Sequence, residues 1–186
     1  MMNTVEEAKN TEMIAVKVEK FARAAQISLR FLAMAATLAA SCIVLTSKET
    51  VLIYGITADV KYSYSPSYKF FAAANLIACV FSAISLLLFY IMGLTSKSIN
   101  YFFFFLHDLV VMTLLMAGCS AATAMGYLGK YGNKYAGWMP ICGYFDKYCD
   151  RITIAVTLSY VAFVFYFILT VISVSKSKSS ITQVIK

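Results

Sequence analysis

Long apolar segments alternate with short polar ones along the whole chain. Each of the four apolar segments holds at least 20 residues, the length that an α-helix needs to cross a hydrocarbon layer of about 30 Å. Backbone groups in lipid must find hydrogen-bond partners within their own segment, and a helix provides them. The pattern therefore predicts four membrane-spanning helices, at residues 27–46, 70–92, 101–127 and 152–174.

The composition agrees with an all-α polytopic membrane protein, built as a bundle of four transmembrane helices. Hydrophobic residues make up 61% of the 186-residue chain and charged residues 13%, whereas a typical soluble domain has about 25% charged residues. Among the 25 charged residues, only Arg30 and Asp108 lie inside the predicted spans. Eight glycines and two prolines are too few for a barrel of many short strands. These observations nearly exclude a soluble enzyme.

The polar segments define the tails and loops of a membrane domain that covers residues 27–174. A cleaved signal peptide is the alternative for the first span, because Ala39, Ala40 and Ser41 offer small residues to a peptidase. That span is longer than the 7–15 residues of a signal core and begins only after 26 residues, which favours a retained helix. The expected connections are an N-terminal tail at 1–26, outer loops at 47–69 and 128–151, an inner turn at 93–100 and a C-terminal tail at 175–186.

The N-terminal tail has an amphipathic end. Ile14, Val18, Phe21 and Ala25 recur at helical spacing, and lysines and an arginine occupy the other faces. This pattern predicts a helix at residues 12–26 that lies against anionic membrane lipids. The net charge of +7 forms no dense basic stripe, so we expect no nucleic-acid partner.

Cysteines decide the orientation better than the basic residues do. With four spans, the tails and inner turn carry eight lysines and arginines against seven in the outer loops, which is no useful bias. Cys142 and Cys149 lie in one polar loop with six residues between them. They form a disulfide if that loop reaches an oxidising compartment, and they stay free thiols otherwise. The disulfide places both tails in the cytoplasm.

The two charges inside the spans predict an ion pair. Arg30 lies about 5 Å into the first span and Asp108 about 10 Å into the third, at 1.5 Å per residue. Both spans run in the same direction, so the two charges share a leaflet, and a charge in lipid is costly unless it is paired. We expect a clamp between Arg30 and Asp108. The alternatives are a proton or ion site, or an arginine that reaches the phosphates while Asp108 pairs elsewhere.

The sequence offers little for catalysis. His107 is the single histidine, and consecutive helical residues point about 100° apart, so we expect no cooperating pair between His107 and Asp108. The metalloprotease, esterase and phosphate-loop motifs are absent from the sequence. We therefore expect a non-enzymatic protein with no cofactor and no metal site.

Small residues recur at helical spacing in two spans. They let helix backbones approach closely in lipid, either inside the bundle or between subunits, and internal packing is slightly favoured. Asn75 is a candidate for a hydrogen bond between helices, although it could equally reach water. The small residues are Ala36 and Ala40 in the first span and Gly118, Ala122 and Gly126 in the third.

The second outer loop is rich in aromatic residues, among them Tyr131, Trp138 and Phe145. Such side chains sit at the lipid interface or bind a partner. A membrane scaffold is the leading interpretation. The alternative is a small transporter or channel that uses Asp108 as a polar site within the membrane.

These features together resemble a known plant family. The features are Arg30, Asp108, the segment 68–75 at the start of the second span, and an outer loop with Tyr131-Gly132-Asn133, Trp138, Ile141-Cys142, Phe145 and Cys149. The chain resembles the Casparian strip membrane domain protein-like family, relatives of the four-span MARVEL proteins, from about residue 23 to residue 174.

The resemblance implies cytoplasmic tails, residence in the plasma membrane, and homo- and hetero-oligomers with related four-span proteins. It also implies a scaffold whose stable membrane subdomains recruit secreted wall-modifying enzymes. Members that form the strip carry a signature in the first outer loop, and residues 47–69 lack it. We therefore expect a member of the broader branch, and the resemblance leaves strip formation open.

Overall fold

Four long helices and one short hairpin make up the described chain. The computed structural model describes residues 2–53, 55–94 and 101–184. A two-stranded hairpin follows the first helix, and single 3-10 turns lie at Tyr62–Tyr64 and Lys134–Ala136. The helices are α1 (Met2–Thr46), α2 (Pro66–Leu94), α3 (Tyr101–Tyr131) and α4 (Asp146–Val184), and the strands are β1 (Lys48–Ile53) and β2 (Ile56–Lys61).

The helices form a four-helix bundle with alternating directions. Helix α1 packs against α2 and α4, and α3 packs against the same two helices, so α1 and α3 lie on one diagonal. Arg30 lies in the first half of the apolar stretch of α1, and it contacts Ser85 in the second half of α2 and Asp108 in the first third of α3. Neighbouring helices are therefore antiparallel. Each helix has a stretch long and apolar enough to span a membrane: Lys20–Thr46, Pro66–Ile91, Phe102–Tyr131 and Asp146–Lys176. The predicted all-α, four-span fold is confirmed.

The helices extend beyond the segments that hydropathy indicates. Helix α3 ends four residues after the predicted span and α4 begins six residues before its own. The expected loop at 128–151 is thus shortened to residues 132–145. The tail at 1–26 is helical from Met2 and continuous with the first span, and α4 continues to Val184. A helix does not have to end where the lipid ends, because water also satisfies its terminal groups.

The first outer loop contains a β-hairpin where the sequence predicted only a loop. Strands β1 and β2 pair antiparallel, with Lys48 opposite Lys61 and Ile53 opposite Ile56. Val51, Ala58 and Val60 face the bundle and pack against its core. We call the end of the bundle that carries this hairpin and residues 132–145 the outer end, and the opposite end the inner end.

The apolar core has two parts. Near the outer end, Phe71, Ala122, Phe145 and Tyr148 belong to one buried cluster, which also contacts the hairpin. A second cluster further inward contains Leu115 and Tyr166 together with smaller side chains. Buried polar side chains also line the interior, and they form the candidate site.

Candidate functional site

An arginine and an aspartate meet inside the bundle. Arg30 Nη1 donates to Asp108 Oδ1 at 2.7 Å, and Nη2 donates to Asp108 Oδ2 at 2.6 Å. Both side chains are completely buried. This is the two-pronged geometry in which a guanidinium binds a carboxylate most strongly. Because α1 and α3 are diagonal partners, the pair passes through the centre of the bundle.

Neighbouring groups complete the environment of the ion pair. Arg30 Nη1 also donates to Ser85 Oγ at 2.9 Å, which brings α2 into the network. The Phe104 ring, one turn before Asp108 on α3, lies 5.1 Å from the guanidinium carbon, a distance at which a ring attracts a cation. Arg30 Nε has no hydrogen-bond partner among the described residues.

The prediction that His107 and Asp108 form no cooperating pair was wrong. His107 Nδ1 lies 3.2 Å from Asp108 Oδ1, so the two consecutive residues do interact. The imidazole is long enough to reach the carboxylate of the next residue. The other ring nitrogen, Nε2, is buried and has no partner among the described residues.

The other diagonal of the bundle, between α2 and α4, is joined by neutral hydrogen bonds. Ser159 Oγ donates to Asn75 Oδ1 at 2.9 Å, and Cys119 Sγ on α3 donates to the same serine at 3.2 Å. Asn75 is buried, which favours the interhelical role over the water-facing one. Nearer the ion pair, the Ser82 and Tyr166 hydroxyls hydrogen-bond to each other. We call Arg30, Ser85, Asp108 and these two α2–α4 pairs the polar core.

The polar core can hold the helices in one arrangement. Groups that are hydrogen-bonded across both diagonals fix the rotation of all four helices at once. In lipid, apolar side chains gain little by leaving the solvent, so close packing and such polar contacts carry much of the association. Removing one member of a buried ion pair leaves a charge without compensation, which costs about 3–5 kcal/mol.

The row of small residues on α3 faces α2 within the bundle. A Cβ atom at Gly118 would lie 3.1 Å from Ala74 Cβ, and one at Gly126 would lie 3.9 Å from the Tyr68 hydroxyl. Ala122, between them, is fully buried. On α1, Ala40 is fully buried, and Ala36 is half-buried against the inner cluster. The structure thus places these residues inside the bundle.

A disulfide closes the second outer loop, between Cys142 and Cys149. Before it, Asn133 N donates to Trp138 O and Trp138 N donates to Asn133 O, at 2.9 and 3.0 Å. Gly132 has a φ of +68°, and a Cβ there would lie 2.5 Å from Trp138 O, so this position requires glycine. The loop is therefore held in one conformation.

Two of the three aromatic residues predicted for an interaction surface are on the outside. Tyr131 and Trp138 each expose more than half of their side chains. Phe145 is a correction: it is buried in the outer core cluster and contacts the bundle rather than the surroundings. It directly precedes α4, where an apolar side chain packs under the start of the helix.

Sequence reasoning missed several residues of the site. Ser82 and Ser85 look like small residues in an apolar helix, although their spacing places them on the same side of α2 as Asn75. Glu49 was also missed: its Oε2 accepts a hydrogen bond from Tyr148 N at 2.8 Å, which ties the hairpin to the first turn of α4. No local pattern links those two positions, which are 99 residues apart in the chain.

Four apolar helices around a buried ion pair define a multi-pass membrane protein. The chain matches the family model of the Casparian strip membrane protein domain over residues 19–165. It is 48% identical over 173 residues to the CASP-like protein 1F1 of Vitis vinifera, which covers 92% of this chain and 84% of that relative. The protein of the same name from Ricinus communis is 46% identical over 178 residues, 95% of this chain and 98% of the relative.

A third relative, the CASP-like protein 1F2 of Populus trichocarpa, is 44% identical over 92% of this chain and 96% of its own length. No solved structure matches the chain. The chain belongs to the Casparian strip membrane protein family, as the sequence features indicated.

Proposed function

We propose that this protein is a non-enzymatic scaffold of the plasma membrane, with both tails in the cytoplasm. It forms homo- and hetero-oligomers with related four-span proteins and organises membrane subdomains. Its outer face recruits secreted wall-modifying proteins. One observation carries the proposal: the charges in the interior bind each other, while apolar helix faces and a fixed aromatic loop are left on the surface.

The surface of the bundle supports oligomerisation. Phe31 on α1 and Ile154, Val164 and Phe167 on α4 are exposed large hydrophobic residues. In a membrane such faces contact lipid or other helices, and neither contact requires a polar partner. A scaffold needs this kind of face, because it assembles through its sides.

The state of Asp108 argues against the transporter or channel interpretation. A carboxylate that carries a proton or ion along a path must exchange its partners. Here both oxygens accept hydrogen bonds from Arg30, and the side chain is fully buried. In proteoliposomes that contain the purified protein, we expect no flux of small ions or protons above empty vesicles. A flux that is lost in Asp108→Asn would favour the transporter.

Crosslinking in native membranes tests the scaffold directly. A photoreactive residue at Val164, on the exposed face of α4, is expected to form adducts with a second copy or a related four-span protein. The same residue at Tyr135, which is fully exposed in the outer loop, is expected to capture secreted proteins. Ala162 is buried two residues before Val164 and is the matched control, expected to give neither. Adducts with lipid alone at Val164 and Tyr135 would contradict the proposal.

A further inference from the structure

A cavity of about 530 Å³ opens at the outer end of the bundle. Its walls come from the hairpin, the first turns of α2 and α4, the last turns of α3 and the disulfide-closed loop. This volume is within the range of pockets that bind small organic molecules. The polar core lies further inward, so the cavity is a separate feature of the molecule.

Four aromatic side chains contribute to the walls. Tyr64, Tyr68, Trp138 and Tyr148 all line the cavity, with Met125 at its inner part. The Tyr68 and Tyr148 rings meet edge to face, with centroids 6.3 Å apart and an angle of 79° between their planes. Rings arranged in this way leave faces and edges that attract a further aromatic ring.

The walls are already shaped in the absence of a ligand. Backbone hydrogen bonds between Asn133 and Trp138 fix the main chain at the tryptophan. Ile141 N and Cys142 N both donate to Gly129 O, at 2.8 and 3.1 Å, and anchor the loop to the end of α3. A pocket whose backbone is already ordered loses little affinity to ordering on binding.

The charge of the walls favours a neutral ligand. Lys61 is the charged residue that lines the cavity. Its ammonium binds Asp59 Oδ2 at 2.9 Å, and the Tyr64 hydroxyl donates to the same oxygen at 2.8 Å. These contacts hold the pKa of Asp59 below its ordinary value and that of Lys61 above it. The charge of Lys61 is therefore already compensated within the hairpin.

One hydroxyl of the wall has unused hydrogen-bonding capacity. Ser65 precedes α2 and is 8% exposed. Its Oγ has no partner among the described residues, although serine at such a position commonly caps the helix. The backbone carbonyl of Ser65 accepts the first bond of the helix, from Lys69 N, but the Ser65 side chain accepts none from the first turn. A buried hydroxyl without a partner is costly. Because Ser65 lines the cavity, rotation of its side chain about the Cα–Cβ bond would bring the Oγ to a ligand hydroxyl.

We propose that this cavity binds a neutral, hydroxylated aromatic small molecule, a phenol or aryl alcohol of one or two rings. The ring lies among Tyr68, Trp138 and Tyr148, and its hydroxyl group hydrogen-bonds to Ser65 Oγ. The site is independent of the scaffold proposal, since it requires neither oligomers nor recruited proteins.

Trp138 provides a specific readout because it is the single tryptophan of the chain. The full-length protein in detergent micelles is titrated with 4-propylphenol. The tryptophan is excited at a wavelength longer than those that the phenol absorbs. We expect a saturable change in Trp138 emission. Propylbenzene lacks the hydroxyl and 4-propylcyclohexanol lacks the aromatic ring, and each is expected to bind about five- to tenfold more weakly.

Substitutions at Ser65 and at its neighbour Ser67 test which protein hydroxyl binds the hydroxyl of the ligand. Ser65→Ala is expected to weaken 4-propylphenol about five- to tenfold and leave propylbenzene unchanged. Ser65→Thr keeps the hydroxyl and should keep the preference. Ser67→Ala is the matched control, because Ser67 lies two residues after Ser65, in the first turn of α2, but does not line the cavity. Native elution and unchanged Trp138 emission without ligand show that each variant is folded.

Three outcomes would overturn the proposal. The first is emission that changes linearly and equally with all three compounds, as it does for N-acetyltryptophanamide in the same micelles. The second is saturable phenol binding that Ser65→Ala does not weaken. The third is saturation by a sterol supplied in lipid nanodiscs without saturation by the phenol, which would make the cavity a lipid site.

Discussion

At the scale of single residues, the ion pair between Arg30 and Asp108 is the most consequential contact. Each charge is completely buried, and the free-energy cost of removing it from water is offset only by the other charge and a few surrounding groups. Such a pair adds little stability compared with apolar residues that pack equally well, but breaking it is expensive. The ion pair therefore specifies one arrangement of the helices more than it stabilises that arrangement.

Separate substitution of the two charges tests this contact. Arg30→Ala and Asp108→Ala are each expected to lower the free energy of unfolding in detergent by about 3–5 kcal/mol. The double variant Arg30→Met/Asp108→Leu is expected to lose less than either single variant. Arg23→Ala, at an exposed arginine of α1, is the control and should be nearly neutral. If the losses in Arg30→Ala and Asp108→Ala add up in a double alanine variant, the two residues are not coupled.

Gly118 is a second position where one residue determines packing. A Cβ atom there already lies 3.1 Å from Ala74 Cβ, so a larger side chain forces α3 away from α2. Gly118→Leu is expected to cost about 1–3 kcal/mol in unfolding experiments. Ala117→Leu adds the same side chain one residue earlier, on an exposed position, and should have little effect. Equal effects of the two variants would mean that α3 and α2 tolerate separation.

At the scale of elements, the hairpin is fixed to the bundle both by apolar packing and by a hydrogen bond. Val51 and Val60 contact the outer core cluster, and the Glu49 carboxylate accepts a hydrogen bond from the first turn of α4. A carboxylate is favourable there, because the start of a helix has free N–H groups and a partial positive charge. The hairpin thus stabilises a helix that begins nearly a hundred residues later.

Removal of the Glu49 carboxylate is expected to loosen the start of α4. Glu49→Ala should cost about 0.5–2 kcal/mol, the usual range for a lost cap, and should raise hydrogen exchange in residues 146–150. Exchange measured by mass spectrometry reports this locally. Asp59→Asn alters the other carboxylate of the hairpin, which pairs with Lys61 instead, and should leave α4 unchanged. Faster exchange in both variants would indicate general unfolding of the hairpin.

Elements differ in how far the sequence could predict them. The spans were evident because charged residues are excluded from lipid, and a position in the same leaflet suggested the partner of Arg30. The hairpin was missed because a loop of 23 residues with many polar side chains looks unstructured, although the apolar run Val51-Leu52-Ile53 close to Gly55 is typical of a strand before a turn. Ser82 and Tyr166 were missed because a lone hydroxyl in an apolar helix shows no partner until the helices are placed.

At the scale of the whole molecule, its two ends differ in kind. The outer end carries the hairpin, the disulfide-closed loop and the cavity. Toward the inner end, α1 continues as a helix whose Ile14, Val18 and Phe21 are largely exposed. Its helical conformation was predicted correctly, and its contact with membrane lipids stays a prediction.

The orientation of the molecule can be measured with a membrane-impermeant amine reagent. If both tails are cytoplasmic, intact cells should label Lys134, which is exposed in the outer loop, and should not label Lys17, which is exposed on the N-terminal segment of α1. Permeabilised cells should label both, and this serves as the control. Labelling of Lys17 but not Lys134 in intact cells would reverse the proposed topology.

The diagonal position of the ion pair has a consequence for biosynthesis. Arg30 precedes Asp108 by 78 residues in the chain, so the ribosome delivers the arginine to the membrane well before its partner exists. Until α3 arrives, the cost of an unpaired charge in lipid favours holding α1 at the insertion machinery or near the headgroups. We expect α1 to settle fully in the bilayer once α3 brings Asp108, and the bundle to be completed when α4, which packs against both helices, follows. A chain truncated before residue 108 should therefore be recognised as unfinished and degraded, even though α1 and α2 are complete.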